Sequence, residues 1–364
     1  MIGAFRNTRL ATRYADETAL FRTWPSRFGL IAMVLAYGLA PFLLNEYWST
    51  VFIFAGIAAI GALGLNLLTG YTGQVSLGHA FFYGMGAYGA AVFAGRLGWP
   101  FPLWLIAAAA LGGVLGGLAG PFALRLRGNY LVIVSLGLLV IGQHVFENWT
   151  SVTGGLTGTS VRAPIALGSF DVANLRLGDA RLSRNQGFLF FVWGAVAVLA
   201  LAARNIVRTR PGRALQAVRD KDLAAEVIGV SLVQYKVGAF VVSSGYAACA
   251  GAIYAAYARF VSPLDFSLFL SIQFIAMIVV GGIGTIKGAI LGALFLTLLP
   301  RAIESVSGSL PFVSDGTGAG ITVQSLNQAM FGVLIVVFLL FEPLGLAEIW
   351  RRILRYFKAW PFSY

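Results

Sequence analysis

Residues 49–68 read STVFIFAGIAAIGALGLNLL, twenty residues without one charge. A helix needs about 20 mainly apolar residues to cross a hydrocarbon core about 30 Å thick, so this stretch predicts a membrane span. It is not isolated. Nine further stretches fit the same description, at 28–45, 79–96, 101–124, 129–148, 186–204, 235–258, 266–286, 288–304 and 325–342. The expected fold class is all-α, a polytopic membrane helical bundle of about ten transmembrane helices. The weakest spans are glycine-rich 79–96 and the adjacent pair 266–286 and 288–304, where a broken or re-entrant helix is the alternative to a full crossing. Such backbone is tolerated at membrane depth only inside protein or along a cavity.

Composition agrees. The chain has 364 residues, 58% hydrophobic and only 11% charged, against roughly 25% charged in soluble domains. A water-soluble enzyme is excluded. The single cysteine, Cys249, rules out an internal disulfide framework, and with His79 and His144 as the only histidines no metal site is expected. The net charge of +12 does not point to nucleic acid, because the basic residues sit between apolar runs. With the N-terminus in the cytoplasm, 19 of the 26 lysines and arginines fall inside and seven, Arg96, Arg162, Arg176, Arg181, Arg184, Arg259 and Arg301, fall outside. That asymmetry follows the positive-inside rule. It places cytoplasmic tails at 1–27 and 343–364 around a transmembrane domain at 28–342, with no secretory signal peptide expected at the start. Tryptophans at 24, 48, 99, 149 and 350 lie near predicted span ends, where indole rings favour the headgroup level of the lipid bilayer.

Outer loops are expected at 149–185 and 306–324, and the longest cytoplasmic loop at 205–234. That loop has a helical pattern from Arg213, with Ala214, Leu215, Val218, Leu223, Ala225, Val227 and Ile228 as a modest apolar stripe. Asp220, Asp222 and Glu226 stand among Arg213, Arg219 and Lys221, and Gly229 is a helix stop. One reading is a helix resting on the inner membrane face; the other is a docking helix that enters a groove on a cytosolic partner.

The segment GYTGQVSLGHAFFYGMGAYGAA, 70–91, combines poor helix propensity with dense polar groups. Thr72, Gln74, Ser76 and His79 fit either an interrupted helix lining a cavity or close packing through small residues. His79 alone reads more readily as a hydrogen-bonded structural group than as a proton carrier. Glycine rows at 112–116–120, 113–117 and 284–288–292 predict close helix contacts. Near the outer end of 129–148, His144, Glu147 and Asn148 share one helix face and Gln143 lies over Glu147. They read as an interfacial cap or as a polar vestibule. The candidate pathway residues are thus Thr72, Gln74, Ser76, His79, Gln143 and Glu147.

The chain carries no GxxxxGK[ST] phosphate loop, no HExxH and no GxSxG, and no span centre holds Asp, Glu, Lys or Arg. The last absence weakens a self-sufficient ion-driven carrier, and no nucleophile–base cluster supports an intramembrane enzyme. A multi-span chain with a charged loop helix and no engine suggests half of a pump driven by separate subunits.

The segments GYTGQVSLGHAFFYGMGAY (70–88), NYLVIVSLG (129–137), NWTSVTGGLTG (148–158), RPGRALQAVRDKDLAAEVIGVSLVQYKVGAFVVSS (210–244) and GGIGTIKGAILGALFLTLLP (281–300) resemble the permease subunits of branched-chain amino-acid ABC importers, the LivM type more than the LivH type. The resemblance implies a non-enzymatic transport subunit of a bacterial inner membrane. It would pair with a LivH-like sister permease, two cytosolic ATPase subunits and a periplasmic substrate-binding protein. ATP would reside on those partner subunits, with no cofactor on this chain. The helix at 213–229 would be the coupling helix: Arg213, Arg219, Asp220, Asp222 and Glu226 would meet the ATPase, while Ala224, Ala225 and Gly229 would allow close approach. Related subunits serve urea or short amides and more distant ones sugars, so the resemblance fixes the machine more firmly than the cargo, and the nearer alternative is the same machine importing urea, amides or small aromatic acids.

Overall fold

The computed structural model describes residues 35–359 apart from 36, 125–129, 168–169, 178–179, 308–312, 315–320 and 343. The expected tail 1–27, residues 28–34 and 36 of the expected span 28–45, the charges Arg125 and Arg127, and much of loop 306–324 lie outside the described residues.

The helices are α1 (Glu46–Leu65, continued by a π-helical turn Asn66–Gly70), α2 (His79–Ala90, continued by a π-helical turn Ala91–Arg96), α3 (Leu103–Leu124), α4 (Tyr130–Asn148) and α5 (Arg184–Arg208). They continue as α6 (Arg210–Asp220), α7 (Asp222–Val227), α8 (Leu232–Ala258), α9 (Leu268–Gly281), α10 (Ile286–Ser307), α11 (Val323–Phe341) and α12 (Gly345–Ala359). Local sequence explains where several begin. Asn45 caps α1, its side chain accepting from the Trp48 amide at 2.9 Å, and Glu46 adds a negative charge to the first turn. Ser183 and Gln186 form a reciprocal capping box at α5. Within segment 149–185, β1 (Thr159–Ser160) pairs antiparallel with β2 (Phe260–Val261), which follows α8.

Glycine lets α1 sit at the centre. A β-carbon at Gly56 would overlap Val192 of α5, one at Gly61 would overlap Phe274 of α9, and one at Gly64 would overlap Tyr246 of α8. The row Gly112–Gly116–Gly120 on α3 packs, in that order, on Ala248 and Ser244, then Ser244 and Phe240, then Val237 of α8. The descending order makes α3 and α8 antiparallel. The expected row 284–288–292 is different in form. Gly284, at φ +78°, lies in the turn 282–285, and Gly288 and Gly292 of α10 face Gly281 and Met277 of α9. The pair 266–286 and 288–304 is therefore a tight helical hairpin.

Six helices are long and apolar enough to cross a membrane: Glu46–Gly70, Leu103–Pro121, Leu131–Asn148, Arg184–Arg208, Leu232–Ala258 and Ile286–Glu304. A seventh is reached if Gln328–Phe341 and Gly345–Tyr356, bent by 48°, are taken as one span. The count of ten is not reproduced among the described residues. The 14 residues of α9 rise only about 21 Å, and α2 starts beside Gly61 in the last third of α1. The chain is a multi-pass helical membrane protein. Its basal end carries α6 and α7, and its distal end carries segment 149–185.

Candidate functional site

At the basal end of α1 the backbone leaves the helix. Residues 73–78 are not helical, Gly73 has φ +71°, and α2 restarts at His79. Glycine supplies the left-handed turn that a side chain resists. The polar residues around it then satisfy backbone groups that lipid cannot. The Thr72 hydroxyl donates to the Leu68 carbonyl, and the Thr69 hydroxyl to the Gln74 carbonyl at 3.0 Å. The Leu77 amide donates to Ser135 Oγ at 2.9 Å, and the Ala80 amide to Ser271 Oγ at 3.0 Å. His79 Nε2 lies 2.9 Å from the Gly61 carbonyl and its ring stands edge-on to Phe274. These are structural bonds.

Thr72, Gln74, Ser76 and His79 are all buried. Gln74 Oε1 has no hydrogen-bond partner among the described residues. Gln143 and Glu147 do not join this group. They are half-buried toward the distal end of α4, and eight residues separate Ser135 from Gln143, about 12 Å of helix rise. There the Asn148 amide donates to the His144 carbonyl at 2.8 Å and lies 3.2 Å from His144 Nδ1, a helix-end arrangement.

Beside the break is a half-open pocket of about 260 Å³, walled by Ser76, Phe81 and Phe82, by Leu115 and the exposed Leu118 of α3, by Leu131, Val134, Ser135 and Leu138 of α4, and by Phe240 of α8. The hydroxyls of Ser76 and Ser135 are its polar points in an otherwise apolar wall. Ser135 and Ser271 escape sequence reasoning because a single serine in an apolar run carries no periodic signal.

The loop 205–234 folds as two helices, not one helix from Arg213 to Gly229. The first begins at Arg210, and Lys221 is extended between the two. Leu215, Val218 and Ala225 are buried against the protein, whereas Arg213, Asp220, Ala224, Glu226 and Gly229 are exposed. Ala225 thus packs inward and does not form part of the exposed tip. Asp222 reaches Lys236 at 3.6 Å and accepts from the Leu223 amide. The exposed tip is apolar instead: Leu223 is 60%, Val227 87% and Ile228 75% exposed.

Arg219 turns away from that tip and donates to the Gly70 carbonyl. Its charge lies close enough to counter the upward push that burial gives the Tyr71 phenol. Asn66 completes the junction, donating to the Thr285 carbonyl at 3.1 Å and accepting from the Gly284 amide at 2.8 Å. One arginine and one asparagine therefore tie three pieces together: the loop helices, the break in α1, and the α9–α10 turn. Among the described residues no three His, Cys, Asp or Glu side chains assemble as a metal site.

Comparison with known proteins gives a consistent picture. Residues 47–339 match the family model described as branched-chain amino acid transport system / permease component. The chain is 30% identical to the high-affinity branched-chain amino acid transport system permease protein LivM of Salmonella typhimurium, over 88% of this chain and 75% of that protein. The LivM of Escherichia coli K12 matches to the same extent. The autoinducer 2 import system permease protein LsrC of Escherichia coli DH10B is 28% identical over 75% of this chain and 78% of its own length. No solved structure matches the chain.

Proposed function

The chain belongs to the branched-chain amino acid transport permease family, and from that premise we propose that it is the membrane half-channel of an ATP-driven importer for branched-chain or other hydrophobic amino acids. In this reading it sits in a bacterial inner membrane with both termini cytoplasmic, beside a LivH-like sister permease. Two cytosolic ATPase subunits lie at the basal end, and a periplasmic binding protein delivers cargo to the distal end. ATP is held and hydrolysed by the partner subunits.

The observation that carries the reading is the bond from Arg219 to the Gly70 carbonyl. It makes the exposed loop helices and the break in α1 one mechanical unit. A groove on an ATPase subunit would take the apolar tip Leu223, Val227 and Ile228 in the helix-in-groove mode, with Arg213, Asp220 and Glu226 around the rim. Closure of the ATPase pair on binding ATP would displace that tip. Arg219 and Asn66 would pass the displacement to 73–78 and to the α9–α10 turn. Backbone already released from helical bonding moves more easily than helix, so the break is where access to the 260 Å³ pocket would change. Its apolar wall suits a small hydrophobic side chain, while the Ser76 and Ser135 hydroxyls in that wall would face the polar backbone. Importers of urea, amides or small aromatic acids share the same machine, and the binding protein would select among them.

The test is uptake into liposomes holding the chain, its sister permease and both ATPases, with binding protein outside. Leucine uptake should require ATP. Val227→Asp with Ile228→Asp should abolish capture of the ATPases in a pull-down and uptake with it. Arg219→Ala should keep ATPase capture and lower uptake on the order of tenfold, the worth of one charge-assisted hydrogen bond. Uptake by the chain alone, driven by an ion gradient without ATP, would overturn the proposal.

A further inference from the structure

The sequence GLAEIWRRILRYFKA folds as α12, immediately after α11. Its register at 3.6 residues per turn puts Leu346, Ile349, Trp350, Ile353, Leu354 and Tyr356 in one half of the helix, and Glu348, Arg351, Arg352 and Arg355 in the other. Only the first turn is covered by the bundle. Gly345 approaches Gly282 so closely that a β-carbon there would overlap its backbone, and Ala347 and Glu348 are buried. Beyond that turn, residues 350–356 are exposed. Trp350, Ile353, Leu354 and Tyr356 are all exposed, an apolar strip that water would not favour.

The position of the strip says what covers it. Helix α12 bends 48° out of the line of α11 and starts against Gly282, in the turn that Asn66 binds at the basal end of the bundle. It therefore lies where hydrocarbon gives way to headgroups. Tryptophan and tyrosine favour that level. The polar face is cationic. Arg351 and Arg355 both pair with Glu348, and Arg352 with Glu342. Even so, the three arginine side chains stay 57%, 68% and 60% exposed. A guanidinium has five N–H donors in a fork that suits phosphate. Three arginines against two carboxylates leave both a net positive charge and unused outward donors. An amphipathic helix with an aromatic apolar face and an arginine face lies in the membrane interface.

We propose that α12 is an interfacial helix that binds the anionic phospholipid headgroups of the leaflet at the basal end. Ile353, Leu354, Trp350 and Tyr356 enter the acyl boundary, and Arg351, Arg352 and Arg355 hold phosphate groups. This assignment depends on the chain being a membrane protein and is independent of what it transports.

The experiment uses the full chain in nanodiscs, with Cys249→Ala and a nitroxide on Leu354→Cys. One set contains phosphatidylcholine alone and the other an equal admixture of phosphatidylglycerol. In the anionic discs the label should be reached by oxygen in preference to a water-soluble nickel chelate, and in the neutral discs this preference should fall. Spin-labelled phosphatidylglycerol should be enriched over phosphatidylcholine around the wild-type protein, and the enrichment should fall with added salt. Arg351→Gln, Arg352→Gln and Arg355→Gln together should remove most of it, since each basic residue near an anionic surface is worth roughly fivefold. The salt titration uses unmodified side chains, so a poorly folding variant leaves the test intact. A label in water in both discs would overturn the proposal. So would a label shielded from both reagents, which would mean that a protein covers the face, or equal burial and equal enrichment in neutral lipid.

Discussion

Two glycine-rich stretches, 70–89 and 112–120, look alike as composition and do opposite things. On α3, glycines every fourth residue keep the helix intact and bring its backbone onto Ser244 and Phe240 of α8. In 70–78 the glycines fall at irregular spacing among Thr72, Gln74 and Ser76, and the helix ends. Regular spacing leaves every backbone hydrogen bond inside one helix and uses the missing side chains for approach. Irregular spacing with hydroxyls and amides nearby offers the backbone other partners, and at Ser135 and Ser271 it takes them. The contrast shows that glycine content says little in a membrane chain until its period and its polar neighbours are read with it.

The comparison can be broken first on its packed side. Gly112→Ala with Gly116→Ala places β-carbons into Ala248 and Ser244, so α3 and α8 must separate. The cost should be about 3 kcal/mol, the upper range for overpacking, read as a fall in Tm or in folded yield from detergent. The break should respond less. Ser135→Ala removes the acceptor of the Leu77 amide and should cost about 1–3 kcal/mol, the desolvation of one buried donor. That loss should concentrate in faster hydrogen exchange at 76–79. The control is Gly137→Ala, where a β-carbon meets nothing within 4 Å. Stability there should stay level or rise by up to about 1 kcal/mol from helix propensity. If Gly137→Ala proved as damaging as the α3 pair, the distinction between packing glycines and idle ones would fail.

Much of the architecture was legible along the chain. Residues 49–68, 101–124, 129–148, 186–204 and 235–258 correspond to α1, α3, α4, α5 and α8, because twenty apolar residues in lipid have few options but helix. The segment 70–91 allows two readings, an interrupted helix and close packing through small residues, and the structure shows both: the helix breaks at 73–78, and Gly78, Gly84 and Gly86 pack tightly on Ser135, Phe146 and Ala248. Less legible was the loop 205–234. Leu223, Val227 and Ile228 share an apolar stripe with Leu215 and Val218, yet the extended Lys221 rotates the second helix and leaves its apolar residues outside. A one-residue change of backbone state has no periodic signature. Arg219 likewise reads as one charge among many, and only its distance from Gly70, 149 residues away in sequence, gives it a partner.

By itself, then, the sequence determined the solvent and the class: a charge-poor, apolar chain must be a helical bundle in lipid, and its ordered motifs place it among permeases. Tertiary structure decided which polar groups act together. Ser76 shares a pocket wall with Ser135 while His79 turns to Gly61, Gln143 and Glu147 stay away, and Asn66 with Arg219 joins the loop to the break. The physical reason is range. Hydrophobicity and helix propensity act over one or two turns and are written locally. A hydrogen bond to a carbonyl 149 residues distant exists only after the helices have packed.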